Sequence, residues 1–457
     1  MTLDQNPHHL VPEGDLPPGV RPVPGRRPER SVWTGIPDET PSEDLTVGQR
    51  ARIVGLDAAR GFALLGMIAV HTIPPYFENT FTPTLSWTLF AGHASALFAL
   101  LAGISLALLT GGRNPHRRGR LKLSRNSLVV RALLILSFGL LLNYLPLQLF
   151  NILPYYGLFF LLAIPFLRMG PLRLLLTGAL FAVIGPVVSF LVAANFTYEV
   201  VYFPTFTTLY FSPVETVLSL LVGGTFPAVT WLAFVCVGMA LGRIDLARIP
   251  VQIQLLASGA GLAVVSTVAS HFLLHTVGGW YAIVDAAEMD GGASLVDKIL
   301  TYGPVDFQPR ETGSWWWLAI TGPHNNTLFS IGVSLGIALA TLGAFLLLCQ
   351  VWREMLTPLI AAGSMTLTLY TAHQIFIAVL VPEEQTQLGL WFILQIGAAA
   401  LFATVWHQTV GRGPLESPVN RISKKLGAKL TSTPASSTPS APSAEPGRRR
   451  RGRNRRK

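Results

Sequence analysis

The stretch Gly55–His71, GLDAARGFALLGMIAVH, decides how this chain is read. A short polar headpiece, Leu56-Asp57-Ala58-Ala59-Arg60-Gly61, runs directly into an apolar segment that ends on one histidine. On an α-helix Arg60 and His71 share one face, about 20° past three full turns and roughly 16 Å apart along the axis. An apolar helix that carries a guanidinium near one end and an imidazole near the other is expensive in lipid unless both groups are used.

Working outward, apolar runs of about 20 residues recur along the chain, the length that crosses a bilayer. The 457 residues are 50% hydrophobic and 13% charged, with a mean hydropathy of +0.47. Soluble domains carry about 25% charged residues. Candidate span cores fall at about 58–76, 88–110, 128–149, 153–168, 172–194, 214–241, 251–274, 327–349, 357–381 and 388–410. The expected fold is therefore all-α, a polytopic membrane helix bundle of about ten transmembrane helices. The first span is expected to serve as its own insertion signal, because the residues before it are polar and proline-rich.

Charge placement predicts the topology. With ten spans, every one of the 34 Lys and Arg residues except Lys298 and Arg310 falls on the same side as the N-terminus. The positive-inside rule then places both termini in the cytoplasm of a cell (plasma) membrane protein. Residues 1–52 read as a disordered N-terminal tail, 53–411 as the membrane domain and 412–457 as a disordered basic C-terminal tail. The tail ends in GRRRRGRNRRK, a cluster expected to attract anionic lipids; no folded module suggests nucleic acid. A long outer loop, about 275–326, holds Trp280, Tyr302 and Trp315-Trp316-Trp317. It reads either as an interfacial aromatic belt or as a partly ordered lid over an acceptor site.

The candidate chemistry lies with histidines inside or beside spans, since imidazole suits proton transfer near neutral pH. His71 is the leading candidate for a general base, set against a helix-end histidine bonded at the interface. Arg60 is placed to hold phosphates by forked hydrogen bonds, or to pair with Asp57 three residues earlier. In GSMTLTLYTAHQIF (363–376), Thr366, Tyr370 and His373 form one polar stripe, which must face protein or a cavity. His93 lies among small residues in the second span, as a helper of the site or as a structural histidine. His324 and Asn325 form a polar turn before the eighth span, as acceptor ligands or as the turn leading into that helix. His271 and His275 share a face, but no third metal ligand is apparent, so no metal is expected. No Walker loop, dinucleotide fingerprint, nucleophile elbow or C-x-x-C pair occurs. Membrane-embedded acids are nearly absent, which weighs against a proton-coupled transporter.

Leu56-Asp57-Ala58-Ala59-Arg60-Gly61 followed by His71 resembles the opening of type-3 membrane acyltransferases. The segment 363–376 resembles a late span of heparan-alpha-glucosaminide N-acetyltransferases. FALLAGISLAL in the second span and Gly413-Pro414-Leu415-Glu416 are similar to YeiB-like bacterial membrane proteins. The resemblance implies a bundle that moves an acyl group from cytoplasmic acetyl-CoA, or another acyl-CoA, to an acceptor at the outer face. An envelope glycan, glycolipid or small amphiphile would be that acceptor. His71 would then be the base, His373 and His93 its helpers, Arg60 the donor anchor, and Tyr370, His324 and Asn325 acceptor contacts. One departure stands out: the loop Thr72–Trp87 holds no histidine where the glucosaminide enzymes have one, so their substrate is not carried over. The other readings are an exporter of a small amphiphile and a non-catalytic envelope factor.

Overall fold

A computed structural model describes residues 47–77, 79–146, 149–304, 313–381 and 387–432, with side chains from Val54 onward. The tail 1–46 and the basic end 433–457 lie outside the described residues. The helices in order are α1 (Val47–Thr72), α2 (Leu85–Phe90), α3 (His93–Leu109), α4 (Arg118–Leu142), α5 (Leu153–Leu162), α6 (Pro171–Asn195), α7 (Phe206–Phe211), α8 (Pro213–Leu218), α9 (Ala228–Leu241), α10 (Ile249–His275), α11 (Gly279–Ala286), α12 (Gly292–Tyr302), α13 (Leu328–Val351), α14 (Thr357–Ser364), α15 (Thr366–Leu380), α16 (Leu388–Thr409) and α17 (Glu416–Ser432). Among the described residues no β-strand forms; Tyr76 and Pro83 make an isolated bridge.

The chain is a multi-span helical membrane protein. Among the described residues, seven helical segments are long and apolar enough to cross a bilayer, or nine if each of two bent pairs counts as one span, and Leu153–Leu162 is a further, shorter apolar helix. The fourth expected span, 153–168, is a helix of only 10 residues followed by a 3-10 turn. Its shortness has a physical reason. α5 is enclosed by protein, with Tyr155 and Phe159 almost fully buried, so no lipid thickness dictates its length. Asn151 ties its start to Gly139 and Asn143 near the end of α4, and the Leu167 carbonyl after it accepts from Arg243.

The expected spans 214–241 and 357–381 are both broken. A π-helical turn at Ser219–Gly223 and an irregular stretch separate α8 from α9, with a bend of 47°. α14 and α15 meet at Met365 with a bend of 90°. Open backbone at membrane depth is tolerated where it lines a cavity, and both breaks do so. Among the seven unbroken spans α1 and the α2–α3 segment are the most enclosed and α16 the most peripheral, and α9 is buried over nearly its whole length.

Two further expectations change. Residues 412–457 do not begin as a disordered tail, because α17 forms over Glu416–Ser432 and packs on α4. The long loop is folded over most of its length. α11, α12 and a 3-10 turn at Trp315–Ala319 enclose a small core of Leu274, Ile283, Val296, Ile299, Trp317 and Ile320. It closes onto the preceding elements through Trp87 Nε1 to the Thr301 carbonyl (3.0 Å) and the Tyr302 hydroxyl to the Phe81 carbonyl (2.6 Å). The tryptophan run divides accordingly: Trp317 is core, whereas Trp315 stays exposed.

Candidate active site

The headpiece of α1 is shaped by close packing. Ala58 and Ala59 are fully buried, and a Cβ on Gly363 of α14 would lie 1.7 Å from the Asp57 carbonyl oxygen. A Cβ on Gly61 would lie 2.1 Å from the Leu359 carbonyl oxygen. Small residues thus let α1 and α14 meet backbone to backbone. Arg60 lies about 100° around α1 from Gly61 and lines a cavity of about 680 Å³ beside that contact. α1, α3, α4, α5, the α14–α15 break and the start of α17 surround it.

This cavity sits at the end of the bundle that gathers the basic residues. Arg60 donates to Asp57, and also to Ser105 Oγ at 2.8 Å, so the pairing expected from sequence and the cavity position hold together. Arg131 of α4 and Arg412 also line the cavity. Arg131 makes no hydrogen bond or ion pair among the described residues, and its Nε is buried without a partner. The nearby Glu416 is already committed. Its carboxylate accepts from Thr368 N (3.1 Å) and Thr368 Oγ1 (2.6 Å), capping the first turn of α15, where amide N–H groups lack helical partners. The cavity is therefore left with surplus positive charge.

A second cavity, of about 220 Å³, lies toward the other end of the bundle. His71, Trp87, Tyr202, Tyr302 and His324 line it, with the backbone of the α8–α9 break at Gly223–Phe226. Met67 and Ile152 line both cavities, so the two chambers share a wall. Met67 is one helical turn from His71 and two turns from Arg60 on α1.

One helical turn beyond Met67 on α1 the structure joins the two strongest histidine candidates. His71 Nδ1 and His373 Nε2 are 2.8 Å apart. His373 Nδ1 lies 3.2 Å from Gln395 Oε1, and Gln395 Nε2 donates to Thr72 Oγ1 at 3.1 Å. With the Gln395 amide oxygen turned toward His373 and its nitrogen toward Thr72, the protons are assigned as follows. The amide oxygen only accepts, so His373 Nδ1 carries hydrogen. In a neutral ring His373 Nε2 then accepts, and His71 Nδ1 donates to it. The lone pair of His71 is left on Nε2, which has no hydrogen-bond partner among the described residues and belongs to a ring lining the second cavity. That arrangement presents a base to the cavity.

The remaining sequence candidates divide. His324 lines the second cavity beside His71, its ring edge-on to Phe226, and burial lowers it to about 4. Tyr370 does not reach that cavity; it lines the first, where its hydroxyl accepts from Ile152 N and donates to Asn151 Oδ1. It anchors the wall residue Ile152. His93 is directed to Ser334 Oγ of α13 at 3.3 Å and is not brought to the His71–His373 pair. Asn325 holds the Ile299 carbonyl of the folded loop instead of lining either cavity. Its neighbour Asn326 ties the lid turn to the helix break, accepting from Trp231 Nε1 and donating to the Thr225 carbonyl. His271 and His275 stack with each other and with Trp280; no metal-holding cluster of three ligands occurs among the described residues.

Sequence reasoning missed Gln395 and Arg131 as site residues. Each carried a signal. Gln395 is the lone polar residue in the first half of an apolar span, and Arg131 stands inside a predicted one.

Compared with known families, residues 52–276 match the family model of the heparan-alpha-glucosaminide N-acetyltransferase catalytic region. That segment is similar to the heparan-alpha-glucosaminide N-acetyltransferase-like membrane acyltransferases. The match contains Arg60, His71, His93 and Arg131, whereas His324, His373 and Gln395 lie beyond it. No curated protein matches the chain.

Proposed function

We propose that the protein transfers an acyl group, acetyl in the simplest case, from a coenzyme A thioester in the basic cavity to a nucleophile in the His71 cavity. The observation that carries this reading is the shared wall at Met67 and Ile152. It sets a cation-rich chamber against a chamber that presents an oriented base. The family match supports acyl transfer, and the surplus cations suit the phosphates of the donor. Arg131 is the principal phosphate ligand, because it makes no hydrogen bond or ion pair among the described residues; Arg60 and Arg412 assist. The roughly 16 Å from Arg60 to His71 suits an extended pantetheine arm, with the thioester near Met67.

In the reaction, His71 Nε2 takes the proton of an acceptor hydroxyl or amine as that atom attacks the thioester carbonyl. The new bond to the acyl carbon forms and the carbon–sulfur bond breaks. The proton held by His71 passes to the departing thiolate, which restores the neutral imidazole. His373 and Gln395 hold His71 in the tautomer this requires. The charge asymmetry supports a cytoplasmic donor cavity, an outer acceptor cavity and a plasma-membrane location. Tyr302 and Pro304 of the lid shape the acceptor side.

The test is acyl transfer from radiolabelled acetyl-CoA into envelope material. His71→Ala, present at normal level, is expected to lose about a hundredfold to ten-thousandfold in rate, the span of general-base contributions. Full activity in that variant would remove the proposal. An exporter would share paired cavities, and solute flux without thioester consumption would favour it.

A further inference from the structure

The face that α17 leaves uncovered has a distinct chemistry. One side packs on α4. A Cβ on Gly427 would lie 2.2 Å from Ser127 Oγ, and Asn126 Nδ2 donates to Thr431 Oγ1 at 3.1 Å. Beside that contact Ile422, Leu426 and Leu430 recur at four-residue spacing, and all three are exposed. Arg421, Lys424 and Lys425 are exposed on the remaining face. The adjoining first turns of α4 add Arg118, Arg120, Lys122 and Arg125, and the only acid in the two helices is Glu416. An apolar stripe flanked by cations is the pattern of a helix lying in a bilayer interface. Nucleic acid would answer the charge but not the stripe.

The other end of α17 is part of the basic cavity. Arg412, Glu416 and Val419 line it, and Glu416 caps α15 through Thr368. A displacement of α17 therefore moves a wall of that cavity. We propose that α17 and the basic first turns of α4 dock on anionic phospholipid headgroups, and that this docking holds the donor cavity in its binding form. The coupling half of the proposal rests on the donor reading of that cavity; the docking half does not.

The sign of one effect tests it. An anionic bilayer repels anionic coenzyme A, so simple electrostatics weakens its binding. The proposal requires the opposite. Full-length protein is placed in nanodiscs of phosphatidylcholine alone, or of phosphatidylcholine with phosphatidylglycerol, and titrated with coenzyme A. The native chain is expected to bind several-fold tighter with phosphatidylglycerol. The triple variant Arg421→Gln, Lys424→Gln, Lys425→Gln changes only exposed side chains and should bind more weakly with phosphatidylglycerol than without it. Native mass spectrometry reads docking separately. The native chain should retain phosphatidylglycerol, and the variant should lose it, at about fivefold in affinity per cation removed. Equal retention by the two proteins overturns docking. Binding by the native chain that is no tighter in the anionic disc overturns coupling. If coenzyme A binds in neither disc, the donor reading and the coupling fall together, while retention still decides docking.

Discussion

Replacing Gln395 with methionine removes the group that orders the protons of the histidine pair while keeping volume and apolar fit. His373 Nδ1–H then faces no acceptor in a buried site, a loss worth about 1–3 kcal/mol. The ring can escape by shifting its proton to Nε2. His71 Nδ1 must then accept, and its Nε2 carries hydrogen where the reaction needs a lone pair. The same 1–3 kcal/mol, as bias toward the wrong tautomer, lowers the transfer rate about fivefold to 150-fold at 1.36 kcal/mol per decade. Gln395→Glu separates this from general damage. A carboxylate still accepts from His373 Nδ1, so that variant should keep most of the activity although it no longer donates to Thr72. The assay is thiol release from acetyl-CoA under saturating donor, with coenzyme A affinity measured alongside to show that the first cavity is intact. Unchanged turnover in Gln395→Met, or an inactive Gln395→Glu with normal donor binding, would refute the proton ordering.

The other cavities and contacts give further expectations. Arg131→Met should raise the donor KM about tenfold to hundredfold, by loss of a charged hydrogen bond, with little change in kcat. The same variant should melt higher than the native protein without ligand, because it removes a half-buried cation whose Nε has no hydrogen-bond partner among the described residues. Gly363→Ala should destabilise the fold by about 1–3 kcal/mol or more, since its methyl would lie 1.7 Å from backbone oxygen that has no room to yield; chemical denaturation in detergent reads this. His324 gives a pH signature. It protonates near 6.5 when unfolded but only near 4 when folded, so the unfolded state binds more protons between those values. Stability should fall as pH drops from about 6.5 toward 4, and His324→Gln should flatten that limb in a thermal shift series.

Much of this site is legible in the sequence, and the reasons for the rest are specific. Helix period alone puts Arg60 and His71 on one face, and the membrane setting marks both as groups with a use. The polar stripe of 363–376 announces that His373 faces inward. What it faces depends on tertiary packing. His71 and His373 are 302 positions apart, and no local pattern reports their 2.8 Å contact. Gln395 was visible as a polar residue in an apolar span, but its partner was not. Hydropathy marks 153–168 as a short apolar run, but it does not report that α5 is sheathed in protein. It also passes smoothly over the breaks at Gly223–Phe226 and Met365, where the chain lines the two cavities. α17 was obscured because the sequence around it is polar and the helix gains its stability from packing on α4.

The central claim is that donor phosphates and the catalytic imidazole occupy opposite sides of the Met67–Ile152 wall. A structure of the protein with bound coenzyme A tests it most directly. The account predicts the phosphates against Arg131, Arg60 and Arg412, with the sulfur at Met67 on the path to His71 Nε2. Coenzyme A seated outside the basic cavity, or with its sulfur directed away from His71, would contradict it.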